Sequence, residues 1–283
     1  MFNDTQIIIA GSGASVLFTD KLDTRLKEII ESNVSIGINY FAKYGCSTTF
    51  TLFGDYQFYF ENEEWLKDLG LIIGKLSDQV KEKELPNTIL LPGGRYYFGM
   101  DSWKINKKQC LDCKEFYPSG KSSIERCNKC KTILQPVGFW HHHLSGIWSI
   151  TLALCLGFKE IYLLGYDCCE INGKTHFYQN IVDLTQKKKC DGRPLFSGIG
   201  KKTTGKKDYN TCTYNDIEKT NDYWYGPFKD IKEAKIYNVS PESMLNVFSK
   251  ITYEEFFVKV QNNNIDQDLT RKEIVEYIKE KTK

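Results

Sequence analysis

Residues 6–15, QIIIAGSGAS, decide the fold: the apolar run Ile7, Ile8, Ile9 passes directly into Gly11, Ser12 and Gly13. Three consecutive β-branched residues without alternation read as a strand buried on both faces, as in a parallel sheet covered by helices on each side. Gly11 and Gly13 let the backbone turn sharply and let a ligand approach where a Cβ would block it. A helix beginning near Ser15 would aim its free N–H groups at the same spot and favour an anion there. The stretch therefore reads either as a site for a nucleotide phosphate or as a tight strand-to-helix turn with no ligand. It lacks both the full dinucleotide fingerprint and the Lys-Ser/Thr pair of a P-loop.

Working outward, residues 20–32 place Leu22, Leu26, Ile29 and Ile30 at helical spacing between charges, an amphipathic helix. Residues 34–39 and 48–53 read as strands, ending in Asn39 and in Gly54-Asp55. In an open parallel sheet the carboxyl ends of the strands line the ligand crevice, so these polar ends would converge on one place; turn chemistry is the plainer reading of each. Residues 63–84 are charged and expected to be helical, with interruptions near Gly70 and Gly74. Residues 88–91 form another short strand, stopped by Pro92, Gly93 and Gly94. Further on, residues 145–158, SGIWSITLALCLGF, are apolar nearly all round, a helix buried within the domain, with Gly157 as its stop. The strand over 159–167 follows at once and brings Gly165 and Asp167 to its carboxyl end, while Ser145 and Gly146 stand at the helix start. The pattern predicts an α/β protein, a Rossmann-like, mostly parallel sheet with helices on both faces.

Cys110 and Cys113 form one C-x2-C pair and Cys127 and Cys130 a second, separated by a short polar loop. Two such knuckles bring four thiolates within tetrahedral reach, the arrangement of a structural zinc ribbon inserted in the domain. A site closed by four Cys leaves no position open for water, which assigns the metal to folding rather than to chemistry. His141, His142 and His143 follow, but consecutive side chains diverge, and the tract reads as a loop leading into the buried helix.

The chain has 283 residues, with 38 basic against 36 acidic side chains, so its overall charge calls for neither nucleic acid nor an anionic membrane. No apolar run reaches membrane-spanning length and no leader precedes the first strand, giving the expectation of a soluble protein of a bacterial or phage-infected cytoplasm. In that reducing setting the ten Cys suit metal ligation and burial better than disulfides.

Several blocks carry a family resemblance: IIIAGSGAS at 7–15, the Asn39 strand end, TLFGDYQFYFEN at 51–62, SGIWSITLALCLGFKEIYLLGYD at 145–167 and KIYNVSPESML at 235–245. In these the chain resembles the bacterial lipooligosaccharide sialyltransferases, which use a cytidine monophosphate sugar donor. More broadly it resembles phage and bacterial relatives grouped with the hydroxymethylpterin pyrophosphokinase-like DUF115 proteins. The resemblance implies that Gly11, Ser12, Gly13, Asn39, Asp55, Ser145, Gly146, Gly165, Asp167 and Ser243 surround the nucleotide half of a donor. Asp55 departs from the Asn of that family; a carboxylate there accepts from a base amino group or a ribose hydroxyl but repels a phosphate. The family's general base is a His between the Gly-x-Asp strand and the last strand, and here the corresponding stretch contains none. His176 stands in for it, with Tyr178 or Tyr214 as helper; a surface or ribose-contacting role fits His176 equally.

Residues 186–207 hold eight Lys or Arg against one Asp, followed by several aromatic residues, and define a basic flap over 186–221. It reads as a lid over a phosphorylated donor, a groove for a nucleic-acid backbone, or a solvated loop. Residues 234–239 are a late strand, 240–243 a turn and helix start, 252–260 an amphipathic helix, and 270–281 a final helix whose sparse apolar face suggests docking or tail behaviour.

The expected organisation is a first Rossmann-like part (1–103), the ribbon (104–135), a second Rossmann-like part with the flap (136–261) and a C-terminal helix or tail (262–283). The expected activity is transfer of a sugar from a nucleotide-sugar donor to a hydroxyl acceptor, a glycan or modified phage DNA, without a catalytic metal. Alternatives are a pterin-type pyrophosphokinase using ATP and magnesium, or a nucleic-acid-binding protein with a vestigial nucleotide site. The oligomeric state stays open.

Overall fold

A computed structural model describes residues 5–17, 22–54, 56–75, 85–91, 93–94, 107–110, 112–118, 126–132, 134–136, 139–140, 145–172, 174, 176–178, 217 and 220–282. In chain order the strands are β1 (Gln6–Ala10), β2 (Ser35–Ile38), β3 (Phe50–Phe53), β4 (Ile72–Lys75), β5 (Thr88–Leu91), β6 (Gly93–Gly94), β7 (Lys107–Gln109), β8 (Phe116–Pro118), β9 (Gln135–Pro136), β10 (Phe139–Trp140), β11 (Glu160–Leu164), β12 (Lys235–Asn238) and β13 (Ser249–Lys250). The helices are α1 (Thr24–Ser32), α2 (Phe41–Tyr44), α3 (Tyr56–Glu61), α4 (Glu63–Leu66), α5 (Ser145–Leu156), α6 (Tyr253–Lys259) and α7 (Gln267–Lys281).

Eight strands form one sheet in the order β13-β12-β11-β1-β2-β3-β4-β5, and every pairing in it is parallel. β1 lies at the centre, in register with β11 from Gln6↔Glu160 to Ala10↔Leu164. The chain builds outward from β1 to β5 on one side, then returns through α5 to β11 on the other, so the order reverses between β1 and β11. Alternate residues of β1 enter different cores: Ile7 and Ile9 pack with Trp148, Leu152 and Ile274, whereas Ile8 and Ala10 pack with Leu26, Ile30 and Phe256. Both faces are thus covered, which is why the run is apolar throughout.

α5 explains itself the same way. All ten residues from Ile147 to Leu156 are buried, so no polar stripe is needed. Gly157 ends it at φ 95°, a left-handed position that favours glycine. α1 starts where Asp23 accepts a hydrogen bond from the Leu26 N–H at 3.1 Å.

Two expectations are corrected. Residues 63–84 are not one helix: α4 stops at Leu66, and Ile72–Lys75 form β4, which pairs between β3 and β5 with Leu71, Ile72 and Ile73 buried. No helix starts at 240–243; those residues turn, and the short edge strand β13 follows. Of the two behaviours expected for the final helix, docking is the one observed: Ile274 and Ile278 are buried in the same core as Val34, Phe50 and Leu154.

The ribbon is a separate three-stranded antiparallel sheet in the order β8-β7-β9. Its roots are joined where β6 pairs with β10, Phe139↔Gly93 and Trp140↔Gly94. Among the described residues no helix is long and apolar enough to cross a membrane.

Candidate nucleotide site and metal centre

The glycine turn is built by close approach. Gly11 and Gly13 N–H groups continue the β1 ladder onto Leu164 O at 2.8 Å and Gly165 O at 3.0 Å. A Cβ on Gly13 would lie 2.5 Å from both Asp167 Oδ2 and Gly165 O, so no side chain fits. Gly165 holds φ at 67°, and a Cβ there would meet Val16 at 2.7 Å. The requirement for glycine at these positions is therefore one of packing between the ends of β1 and β11.

The helix expected near Ser15 is a single 3-10 turn, Ala14–Val16, too short to gather a dipole. Its donors already have an anion. The Asp167 carboxylate, 2% exposed, accepts the Ser15 N–H at 2.9 Å, the Ser15 hydroxyl, the Ala14 N–H and the Ser240 hydroxyl. Burial holds this carboxyl above its ordinary range, against the opposing pull of those hydrogen bonds. Asp167 thus clasps the turn, β11 and the segment after β12 together, and it uses the N–H groups that sequence reasoning reserved for a phosphate.

Ser243 is likewise committed. Its hydroxyl donates to Tyr166 O (2.7 Å) and Asp167 O (3.0 Å) and accepts from Leu245 N–H and Asn238 Nδ2, each at 3.0 Å. One donor and two lone pairs are all used, so the side chain pins the chain after β12 to β11 and has no bond left for a ligand.

The remaining described candidates gather at the carboxyl ends of the strands. Asn39 ends β2 at φ 50°, its N–H bonded to Leu52 O at 3.0 Å. Its side-chain oxygen is buried with no hydrogen-bond partner among the described residues. Gly54, at the end of β3, lies under Ser145: a Cβ there would be 3.0 Å from Ser145 Oγ. Ser145 and Gly146, both half-buried, open α5, whose first-turn N–H groups face this end of the sheet. A Cβ on Gly146 would come within 2.9 Å of Tyr166 and of the Tyr225 hydroxyl, so these buried rings brace the helix start. Tyr225 ends a π-helical turn, Thr220–Tyr225, a feature frequent at functional sites that no sequence signal announced.

His176 and Tyr178 reach the same place. The intervening Phe177 N–H bonds Ser12 O at 3.0 Å. Tyr178 is buried, its ring 5.6 Å from Tyr40, 5.3 Å from Tyr44 and 5.4 Å from His176. Burial pushes the His176 imidazole down to about 4, so it is neutral at pH 7. Asp55, Tyr214, His141 to His143 and the flap over 186–216 lie outside the described residues.

The metal centre stands apart, in the ribbon. Cys110, Cys113, Cys127 and Cys130 present sulfurs all within 4.8 Å of one another, and Cys113 and Cys127 approach to 3.6 Å. Tetrahedral zinc with bonds of about 2.3 Å requires sulfurs about 3.8 Å apart, so the cluster fits the ion. The two knuckles repeat one backbone pattern. Lys114 N–H bonds Cys110 O (2.9 Å) and Cys110 N–H bonds Glu115 O (3.0 Å), as Lys131 bonds Cys127 (3.0 Å) and Cys127 bonds Thr132 (2.9 Å). The Cys130 N–H and the Tyr117 hydroxyl, at 3.4 and 3.1 Å from Cys127 Sγ, pull that thiol down to about 6, toward the thiolate a metal needs.

No protein-family model matches the chain, and no curated protein sequence does. Among solved structures it is similar to the sialyltransferase CstII from Campylobacter jejuni in complex with a substrate analogue, cytidine-5'-monophosphate. That likeness has 17% identity over 92% of this chain and 87% of that one, with a TM-score of 0.41. It is also similar to the MAf glycosyltransferase from Magnetospirillum magneticum AMB-1, at 14% identity over 97% of this chain and 37% of that one, with a TM-score of 0.48. A third, Sir2Tm bound to a propionylated peptide, has 9% identity over 96% and 92% and a TM-score of 0.18.

Proposed function

We propose that the chain is a glycosyltransferase that holds a cytidine monophosphate sugar across the carboxyl ends of β1, β2 and β3 and passes the sugar to a hydroxyl acceptor. The observation that carries this reading is Asn39 at the strand ends, whose buried oxygen has no partner among the described residues. An unpaired buried acceptor costs about 1–3 kcal/mol. A base amino group or a ribose hydroxyl would relieve that cost, and cytosine presents such an amino group.

The phosphate belongs at the start of α5 rather than at the glycine turn, because Asp167 already occupies the donors of the turn. Twelve residues of α5 supply a helix dipole, and the N–H groups of its first turn, with the Ser145 hydroxyl, suit the singly charged phosphodiester of the donor and the second charge that develops as it leaves. In the transfer, the bond between the anomeric carbon and the phosphate oxygen breaks with its electron pair leaving on the phosphate. The acceptor oxygen bonds to that carbon and gives its proton to a base. The same helix start stabilises the departing charge. His176 is neutral, as a base must be, and is held beside Ser12 by Phe177 and against Tyr178. Its low basicity makes it a modest proton acceptor, better suited to receiving the proton late in the transfer.

The test is a thermal-shift screen of CMP, UMP, GMP, AMP and their sugar conjugates on the wild type and on Asn39→Ala. The expected result is stabilisation by CMP and its conjugates alone, with affinity reduced by about tenfold or more in Asn39→Ala, the loss of one buried hydrogen bond. Absence of a shift with every nucleotide overturns the assignment.

A further inference from the structure

Charge is unevenly distributed along this chain. Residues 104–135 carry eight basic side chains against Asp112, Glu115 and Glu125, a net of +5 in a chain of net +2, so everything outside the ribbon is net −3. Four thiolates and a Zn2+ ion together lower the ribbon by two charges and leave it cationic. Lys114, Arg126, Lys129 and Lys131 are exposed on the two knuckles. Lys114 and Lys131 occupy equivalent left-handed positions, φ 61° and 62°, directly after Cys113 and Cys130. Each knuckle therefore carries an exposed lysine at the turn that closes it, and Lys131 Nζ donates to Asn128 O at 3.1 Å. Glu115 engages Lys129, and Arg126 places Nη1 on Lys131 O at 3.0 Å.

We propose that the knuckle face of the ribbon is a docking surface for the phosphate backbone of a nucleic-acid strand. Ammonium groups are hydrated point charges that accept phosphate in many orientations, whereas planar carboxylates are held best by a guanidinium fork. Among the described residues of the two knuckles the exposed cations are three lysines and Arg126, so point-charge contacts dominate and binding is independent of base sequence and set by counterion release. This inference stands apart from the glycosyltransferase reading, and a strand docked here is either a hydroxyl acceptor or an independent partner.

The experiment is fluorescence anisotropy of a labelled oligothymidylate with the zinc-loaded full chain across a salt series. Three proteins are compared: the wild type, Lys114→Gln with Lys131→Gln, and Lys114→Arg with Lys131→Arg. The wild type should bind with log K falling linearly against log salt. The Gln pair should lower the slope by about 1.4, two phosphate contacts at about 0.7 each, while the Arg pair keeps the wild-type slope. Zinc content and the CMP thermal shift, read on the same samples, should be unchanged in both variants, which separates this outcome from the fate of the nucleotide site. No binding at low salt overturns the proposal, as does an unchanged slope in the Gln pair. Equally tight uptake of a sulfated polysaccharide of matched charge overturns the commitment to nucleic acid.

Discussion

At the scale of single residues, the end of the sheet is a set of buried polar groups most of which have partners, while among the described residues the side-chain oxygens of Asn39 and Asn238 have none. Asp167 and Ser243 look alike in sequence, small polar residues just beyond a strand, yet both spend their hydrogen bonds inside the protein. His176 is different because its burial has a thermodynamic consequence. The folded chain holds it near 4, below the ordinary value of about 6.5 that it regains on unfolding. As pH falls through that window the unfolded chain takes up the proton first. Stability is therefore full above about pH 6.5 and declines toward pH 4, by up to about 3 kcal/mol. Urea melts of the wild type and His176→Gln at pH 7.5 and 4.5 check this: the wild type should lose more stability on acidification than the variant. Equal losses would mean that the imidazole is hydrated in solution.

At the scale of elements, the ribbon and the main sheet are built by different forces. The described ribbon core consists of Cys110, Cys127 and Leu134, far too little apolar area to fold by burial alone. The eight-stranded sheet has a core on each face and needs no metal. Treatment with a strong zinc chelator should therefore abolish hydrogen-exchange protection of the amides in β7 and β8 while those of β1 and β11 stay protected. Retained protection in the ribbon after one equivalent of zinc has been removed would contradict a metal-dependent fold. Because β6 pairs with β10 just ahead of α5, the ribbon is grafted beside the candidate site, and its unfolding should lower CMP affinity less than Asn39→Ala does.

For the whole molecule, the last helix closes the fold from the end opposite the candidate site. Gln267 donates to Glu31 O at 2.8 Å and Asn33 O at 3.1 Å, and Arg271 Nε donates to Thr49 O at 2.8 Å, all ahead of β2 and β3. Ile274 is fully buried where α7 meets the sheet. Replacing it with Ala should cost about 2–5 kcal/mol in denaturant melts. The CMP-induced shift should persist at temperatures where the variant is folded, because β1, β2 and α5 meet at the other end. Loss of nucleotide binding in folded Ile274→Ala would show that the two ends are coupled.

Much of this was legible in the residues themselves. Continuous β-branched runs at β1, an all-apolar α5 followed at once by β11, and paired C-x2-C knuckles each report local geometry or burial through composition and spacing. β4 escaped because Leu71-Ile72-Ile73 is a short run inside a charged stretch, where periodicity over a longer window favours a helix. α7 left docking and tail behaviour both open because Ile274 and Ile278 are a narrow apolar face, and only the sheet beside them decides for docking. The sequence by itself determined a covered parallel sheet with a glycine turn and a four-thiolate insert, since those depend on neighbours in the chain. Tertiary structure alone decided that the donors of the turn go to Asp167, 152 residues away from Ser15, and that the Asn39 oxygen is buried with no partner among the described residues. Hydrogen-bond partners so distant along the chain meet only after the sheet has assembled, and no local pattern records who meets whom.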